Sequence, residues 1–222
     1  MLRFTFLLLP LGLAGCFDNI STEFPAELLP LEENEAEFPE GTEEDPFPEK
    51  LSLFDDLGSG FHRVHARGYI HASVDDVYTA MRLPEVTVDE AKVDKWKLVN
   101  GSDGVPECEE LPAPIKYCYL LENEVDSIIS VEFHVVWRFG TVPPQEDGDV
   151  TRRRGRWKKV WGSEVIELLD GSIDVYPVEG EDKVTAVEII EHLDAFQNSR
   201  GNAIDFVNDY FDGIVDAANP EP

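Results

Sequence analysis

Positive charge is scarce in this chain: 18 Lys and Arg stand against 46 Asp and Glu among 222 residues, a formal net charge of -28. Such a surface repels phosphate backbones and anionic headgroups, which argues against nucleic-acid binding and against membrane adsorption by charge. After the first sixteen residues no stretch approaches 18 consecutive apolar positions, so no later segment reads as a bilayer span. Catalytic signatures are equally sparse. There is no Gly-rich phosphate loop, nucleophile elbow or paired-carboxylate motif, so a binder is expected over an enzyme. Of the five histidines, His62 and His65 have a ligand-like spacing, but on a strand it sends the rings to opposite faces. No metal or cofactor is expected.

What is present begins at the N-terminus. Arg3, an apolar run over residues 4–13 and the small residues before Cys16 describe an export signal too short to span a bilayer. The ending Leu13-Ala14-Gly15-Cys16 resembles the lipobox of bacterial lipoproteins. The resemblance implies removal of residues 1–15 and acylation of Cys16 with diacylglycerol and an amide-linked chain such as palmitate. Acyl chains would then be the membrane partner, two or three of them holding in effect permanently. The expected location is the cell envelope, with the domain in the periplasm or at the cell surface. Phe17 stands where an inner-membrane retention signal often has Asp, which favours the outer membrane.

Export also changes how the other two cysteines read. Cys108 and Cys118 stand ten positions apart and flank the turn-rich residues 109–114, which fits a disulfide in an oxidising compartment, with two unpaired thiols as the alternative. Residues 17–50 carry twelve carboxylates against Lys50 alone, with prolines at 25, 30, 39, 46 and 48. Proline forbids a long helix and self-repulsion opposes collapse, so residues 16–60 are expected to be an extended, solvated tether. Within it Glu-Phe-Pro occurs twice, at 23–25 and 37–39, as a bland spacer or as a partner motif.

Folded structure is expected over 61–218, with a short tail at 219–222. A strand at 62–72 leads to Ser73, a good N-cap with Asp76 in the capping-box position, and a short helix ended by Pro84. Strands follow at 93–99 and 115–121. Over 129–142, Val131, Phe133, Val135, Trp137 and Phe139 alternate with polar positions, giving one apolar face. The strand at 149–161 is basic, with Arg152, Arg154, Arg156 and Lys158 on one face and Arg153, Trp157 and Lys159 on the other. Its plain reading is an exposed strand whose cations pair with nearby carboxylates. Strands at 165–178, with a possible kink at Asp170-Gly171, and at 183–193 precede a helix over 196–218. There Ala203, Ile204, Val207, Phe211, Ile214, Val215 and Ala218 recur at helical spacing.

This order, with Tyr69-Ile70-His71-Ala72-Ser73-Val74-Asp75-Asp76-Val77-Tyr78 and Asp170-Gly171-Ser172-Ile173-Asp174-Val175-Tyr176-Pro177, resembles the START-like, helix-grip superfamily (SRPBCC) of lipid-transfer domains and polyketide cyclases. The resemblance implies an α+β fold in which a curved antiparallel sheet of about seven strands wraps a long C-terminal helix. It also implies a cavity for a hydrophobic small molecule or lipid, with Phe133, Val135, Trp137, Val207 and Phe211 as candidate lining residues. Two other readings remain at this point: a cyclase or dehydratase using His134 or His192 as proton donor, with Glu188 as a conceivable partner of His192, and a filled-core interaction module acting through the basic strand or the tether. No protein partner is identified.

Overall fold

The computed structural model describes residues 18–58, 60–126, 130–144 and 150–220; the segment expected to be a signal, and Cys16, lie outside the described residues. Alternation and turn chemistry produce nine strands there: β1 (Asn19–Ser21), β2 (Leu51–Leu57), β3 (His62–Ile70), β4 (Lys95–Asn100), β5 (Ile115–Asp126), β6 (Ser130–Val142), β7 (Arg152–Ser163), β8 (Ile166–Val178) and β9 (Glu181–Ala195). The helices are α1 (Val74–Ala80), α2 (Pro84–Thr87) and α3 (Ser199–Ala218). The sheet is antiparallel in the order β2-β3-β9-β8-β7-β6-β5-β4, with β1 pairing separately to the end of β7. This is the α+β helix-grip arrangement: seven strands from β3 onward curve around α3, and two more come from the N-terminal segment.

Local chemistry explains most element limits. Ser73 caps α1, its hydroxyl accepting the Asp76 N–H at 3.2 Å and donating to the Asp76 carboxylate at 2.6 Å. Pro84 does more than end that helix. It occupies the first turn of α2, where its missing N–H leaves no bond unmade. The expected kink at Asp170-Gly171 is absent, and β8 runs through it without a break. Gly171 instead lies under the Trp157 ring, and any Cβ there would overlap that ring.

The inner face of the sheet carries Val64, Val135, Trp137, Trp157, Ile173 and Ile189 against Ala203, Val207, Tyr210, Phe211 and Ile214 of α3, one continuous core. The outer face has its own, smaller cluster of Phe24, Val105, Leu120, Val136 and Val160. Cys108 and Cys118 pack beside it and form a disulfide that ties the loop before β5 to that strand.

Residues 18–50 therefore do not form a solvated tether, and order does not begin at 61. They form a strap across the outer face, with Phe24, Leu28, Asn34 and Ala36 buried. Proline and repulsion do keep the segment free of helix, yet an extended chain can still dock if its backbone finds partners. The basic strand β7 and Arg138 of the neighbouring β6 supply them. Arg138, Arg154 and Arg156 donate to the carbonyls of Pro25, Leu28 and Leu29 at 2.8, 2.9 and 3.0 Å. In return Asn34 donates to the Ala66 and Ile189 carbonyls, and Ser172 accepts the Leu31 N–H. The repeated Glu-Phe-Pro acquires a structural role as well: Phe24 sits under the Arg138 guanidinium at 4.2 Å and Phe38 under Arg67 at 5.4 Å.

Candidate functional site

Between the sheet and the first turns of α3 lies a cavity of about 540 Å³. Its walls are mostly apolar, drawn from β5 (Leu121, Val125), β6 (Val131, Phe133, Val135, Trp137), the β7–β8 turn (Val165, Ile166) and β9 (Leu193, Ala195). Phe206 closes the helix side, and the Trp137 and Trp157 rings, stacked at 4.7 Å, form one wall with Tyr210 packed behind them. This volume lies within the range of pockets that enclose small molecules.

Three of the sequence-derived lining candidates, Phe133, Val135 and Trp137, border the cavity. Val207 and Phe211 do not; both are buried in the packed core, and α3 presents Asn202 and Phe206 instead. The apolar stripe of a helix names the buried face, whereas the cavity borders only its flank over the first two turns. Thr87, Val88, Asp89 and Val93, from α2 and the segment after it, also line the cavity and carried no periodic signal.

Few polar groups enter the walls. Glu191, on the inner face of β9, is 2% exposed and accepts the Trp157 indole N–H at 2.7 Å. Gly171 makes that bond possible: without a side chain on β8, the indole lies across that strand and reaches β9. Burial pushes the Glu191 carboxyl well above its ordinary value, only partly opposed by the Trp157 hydrogen bond, which favours its protonated form. The Trp137 indole N–H and one Asp89 carboxylate oxygen are buried without partners among the described residues. Lys92 at the rim is engaged by Asp205 at 2.9 Å.

The proton donors considered from sequence lie elsewhere. His134 faces outward beside Trp161, with ring centroids 4.6 Å apart. His192 also faces outward, where its Nε2 lies 2.8 Å from Glu32 of the strap, and His65 Nε2 lies 2.9 Å from the same oxygen. Glu188, on the same face, joins Arg67, Arg152 and Tyr176 and not His192. Glu32, His65 and His192 are close enough to suggest a metal. The hydrogen bonds assign them another role: the Glu35 N–H donates to His65 Nδ1 at 2.9 Å, so Nε2 carries the ring proton and donates to Glu32. A metal on Nε2 would need the opposite tautomer and would set two N–H groups against each other at Nδ1. The cluster is a clasp that pins the strap. Burial opposes ionisation of Glu32, but hydrogen bonds from His192 and His65 outweigh it and hold the carboxyl below its ordinary value. Burial likewise holds His192 below the usual imidazole value, against the pull of Glu32.

The basic strand is paired, as expected, but it is not exposed. Arg154 makes a two-pronged bond to Asp174 at 2.5 and 2.6 Å, and Arg156 and Lys158 share Asp170, all on the strap side. On the opposite face, burial pushes the Lys159 amine down to about 8, partly offset by Glu167, and it donates to the Ser163 and Ile166 carbonyls.

No protein-family model matches the chain, and no curated protein matches it. Ninety-one chains of known structure do. The human StarD13 (DLC2) lipid transfer and protein localization domain superposes with a TM-score of 0.50 at 16% identity, covering 77% of this chain and 84% of that one. Human StAR-related lipid transfer protein 5 gives 0.47 at 10%, covering 76% and 82%, and the Zhui aromatase/cyclase of Streptomyces sp. R1128 gives 0.42 at 9%, covering 71% and 91%. With the strand order and the grip of the sheet on α3 described above, the StarD13 superposition shows that this chain has the START-like helix-grip fold.

Proposed function

We propose that this protein is a lipid-anchored envelope protein that binds or carries a hydrophobic small molecule or lipid in the cavity between the sheet and α3. The observation that carries the reading is the cavity itself, which is apolar on nearly every wall and large enough for a ligand of that class. A core that merely needed filling would close such a space, because packed interiors leave few voids larger than a water molecule. The lipid-transfer domains that share the fold agree with this use. Extraction of the purified protein with organic solvent, followed by mass spectrometry, should recover a co-purifying apolar compound. Recovery of none, together with no uptake of an apolar fluorophore, would remove the reading.

The anchoring half rests on Leu13-Ala14-Gly15-Cys16. The strap changes what an anchor would do. The Asp18 carbonyl accepts the Glu164 N–H at 2.9 Å, and the β7–β8 turn that follows lines the cavity. Two residues of chain reach at most about 7 Å, so acyl chains on Cys16 would hold the domain against the bilayer beside this turn rather than at the end of a long leash. Labelling with a clickable fatty acid tests the anchor: wild type should label and Cys16→Ala should not. An unlabelled wild type would refute it while leaving the cavity reading intact.

A further inference from the structure

The cavity is apolar apart from a few groups, and two of these, the Trp137 indole N–H and the Glu191 carboxyl, border its Trp157 wall. Trp137 is 2% exposed, lines the cavity, and its indole N–H has no partner among the described residues. A buried N–H left unmade costs about 1–3 kcal/mol, so in a binding cavity it marks a place where a ligand atom belongs. Glu191 lines the same wall, and its carboxyl has one partner among the described residues, the Trp157 N–H at 2.7 Å. That bond occupies one oxygen as acceptor. Both groups border the same indole, since the Trp137 ring stacks on Trp157.

We infer that this wall recognises the oxygen acceptor of a neutral, elongated apolar molecule, a ketone or ester carbonyl, with the Glu191 carboxyl O–H and the Trp137 indole N–H as its two donors. The inference rests on the cavity-binding reading and narrows it to a ligand class. Burial supports the donor role by favouring the protonated Glu191 carboxyl. The alternatives fit less well. A carboxylate head would bring a second acidic group to a wall that holds no cation; among the described cavity residues the one cation is Lys92, already held by Asp205. At this wall an ammonium head would require Glu191 to ionise in an apolar site and would leave the Trp137 N–H unpaired; its other acidic partner in the cavity is Asp89, and decylamine in the series below reads that site.

A matched series tests this. Nile red is bound to the purified protein and displaced by decane, 2-decanone, decanoate and decylamine at neutral pH. The ketone should bind about tenfold more tightly than each of the others, the worth of one well-made buried hydrogen bond. Glu191→Gln keeps an N–H donor of the same size and should hold ketone affinity within about threefold. Glu191→Leu should bring the ketone to parity with decane, and Trp137→Phe, whatever it does to apolar binding as a whole, should shrink the ketone-to-decane affinity ratio several-fold. Thermal unfolding of each variant establishes that it is folded; should Glu191→Leu not fold, Glu191→Gln and Trp137→Phe decide the matter. Decylamine binding most tightly, or the ketone equal to decane in wild type, would overturn the donor assignment and leave the cavity reading standing. Failure of Nile red and of every member of the series to bind would overturn both.

Discussion

Removing Asp174 should show how firmly the strap seals the outer face. The Arg154 and Asp174 side chains are 7% and 11% exposed, and the bond between them is two-pronged at 2.5 and 2.6 Å. Arg154 also holds the Leu28 carbonyl of the strap at 2.9 Å, while Arg152 stands 3.5 Å from the same carboxylate. An exposed pair of this kind would contribute about 0–1 kcal/mol. A buried one behaves differently, because loss of one partner strands a desolvated charge at a cost of about 3–5 kcal/mol. Asp174→Ala leaves two guanidinium groups side by side with Glu188 as the remaining counter-charge, so the larger figure applies. In a chain of this size that corresponds to a fall in Tm of about 6–20 °C. Arg154→Met with Asp174→Leu removes both charges and should cost less than Asp174→Ala alone, about 1–3 kcal/mol, set mainly by the Leu28 carbonyl left unpaired. Urea unfolding of wild type, Arg154→Met, Asp174→Leu and the pair gives the coupling energy, and hydrogen exchange at the Leu31 and Glu35 amides reports whether the strap lifts. A loss below about 1 kcal/mol for Asp174→Ala would mean that water reaches this pair, and would refute the seated strap.

Three further outcomes follow from the same geometry. Gly171→Ala forces a Cβ into the Trp157 ring and should destabilise by at least the ~1–3 kcal/mol of ordinary overpacking, with loss of near-ultraviolet circular dichroism from the displaced indole. At the Glu32 clasp, His192 is held below its ordinary value of 6.5 and Glu32 below 4.5, so the unfolded chain takes up protons first at both groups as pH falls. Their stabilisation is complete above about pH 6.5, erodes below it through His192, and erodes further below about 4.5 through Glu32. In Glu32→Gln, which removes the pull that raises His192, urea midpoints measured from pH 7.5 to 4 should fall more steeply than in wild type just below pH 6.5 and should lack the further fall below about 4.5, and superimposable curves would count against the clasp. Replacing Cys108 and Cys118 with serine opens a loop with a sequence separation of 10 and should lower stability by about 2.5–3 kcal/mol in the chain-entropy model, measured against reduced wild type as a control.

Local periodicity determined the framework. The period-two run of β6, the Ser73 cap and the apolar stripe of α3 each act within a few residues, so they read directly as strand, helix start and gripping helix. The proposed export, the proposed Cys16 anchor and the pairing of Cys108 with Cys118 also rest on short stretches of sequence; of these, the disulfide is present in the structure. Tertiary structure decided everything that depends on contacts between distant segments. Arginines alternating along β7 look the same in sequence whether water or another chain segment covers them, and the cover is an acidic, proline-rich stretch more than a hundred residues away. An extended segment makes few hydrogen bonds with itself, so its order comes mainly from partners elsewhere, the backbone of β7 and the side chains of the sheet, and composition alone reads it as solvated. The cavity wall follows the same rule. Gly171 clears β8 for the Trp157 ring, that ring reaches Glu191 on β9, and the void falls beside the flank of α3 rather than its buried stripe. That is why Phe206 lines the cavity while Val207 and Phe211 fill the core.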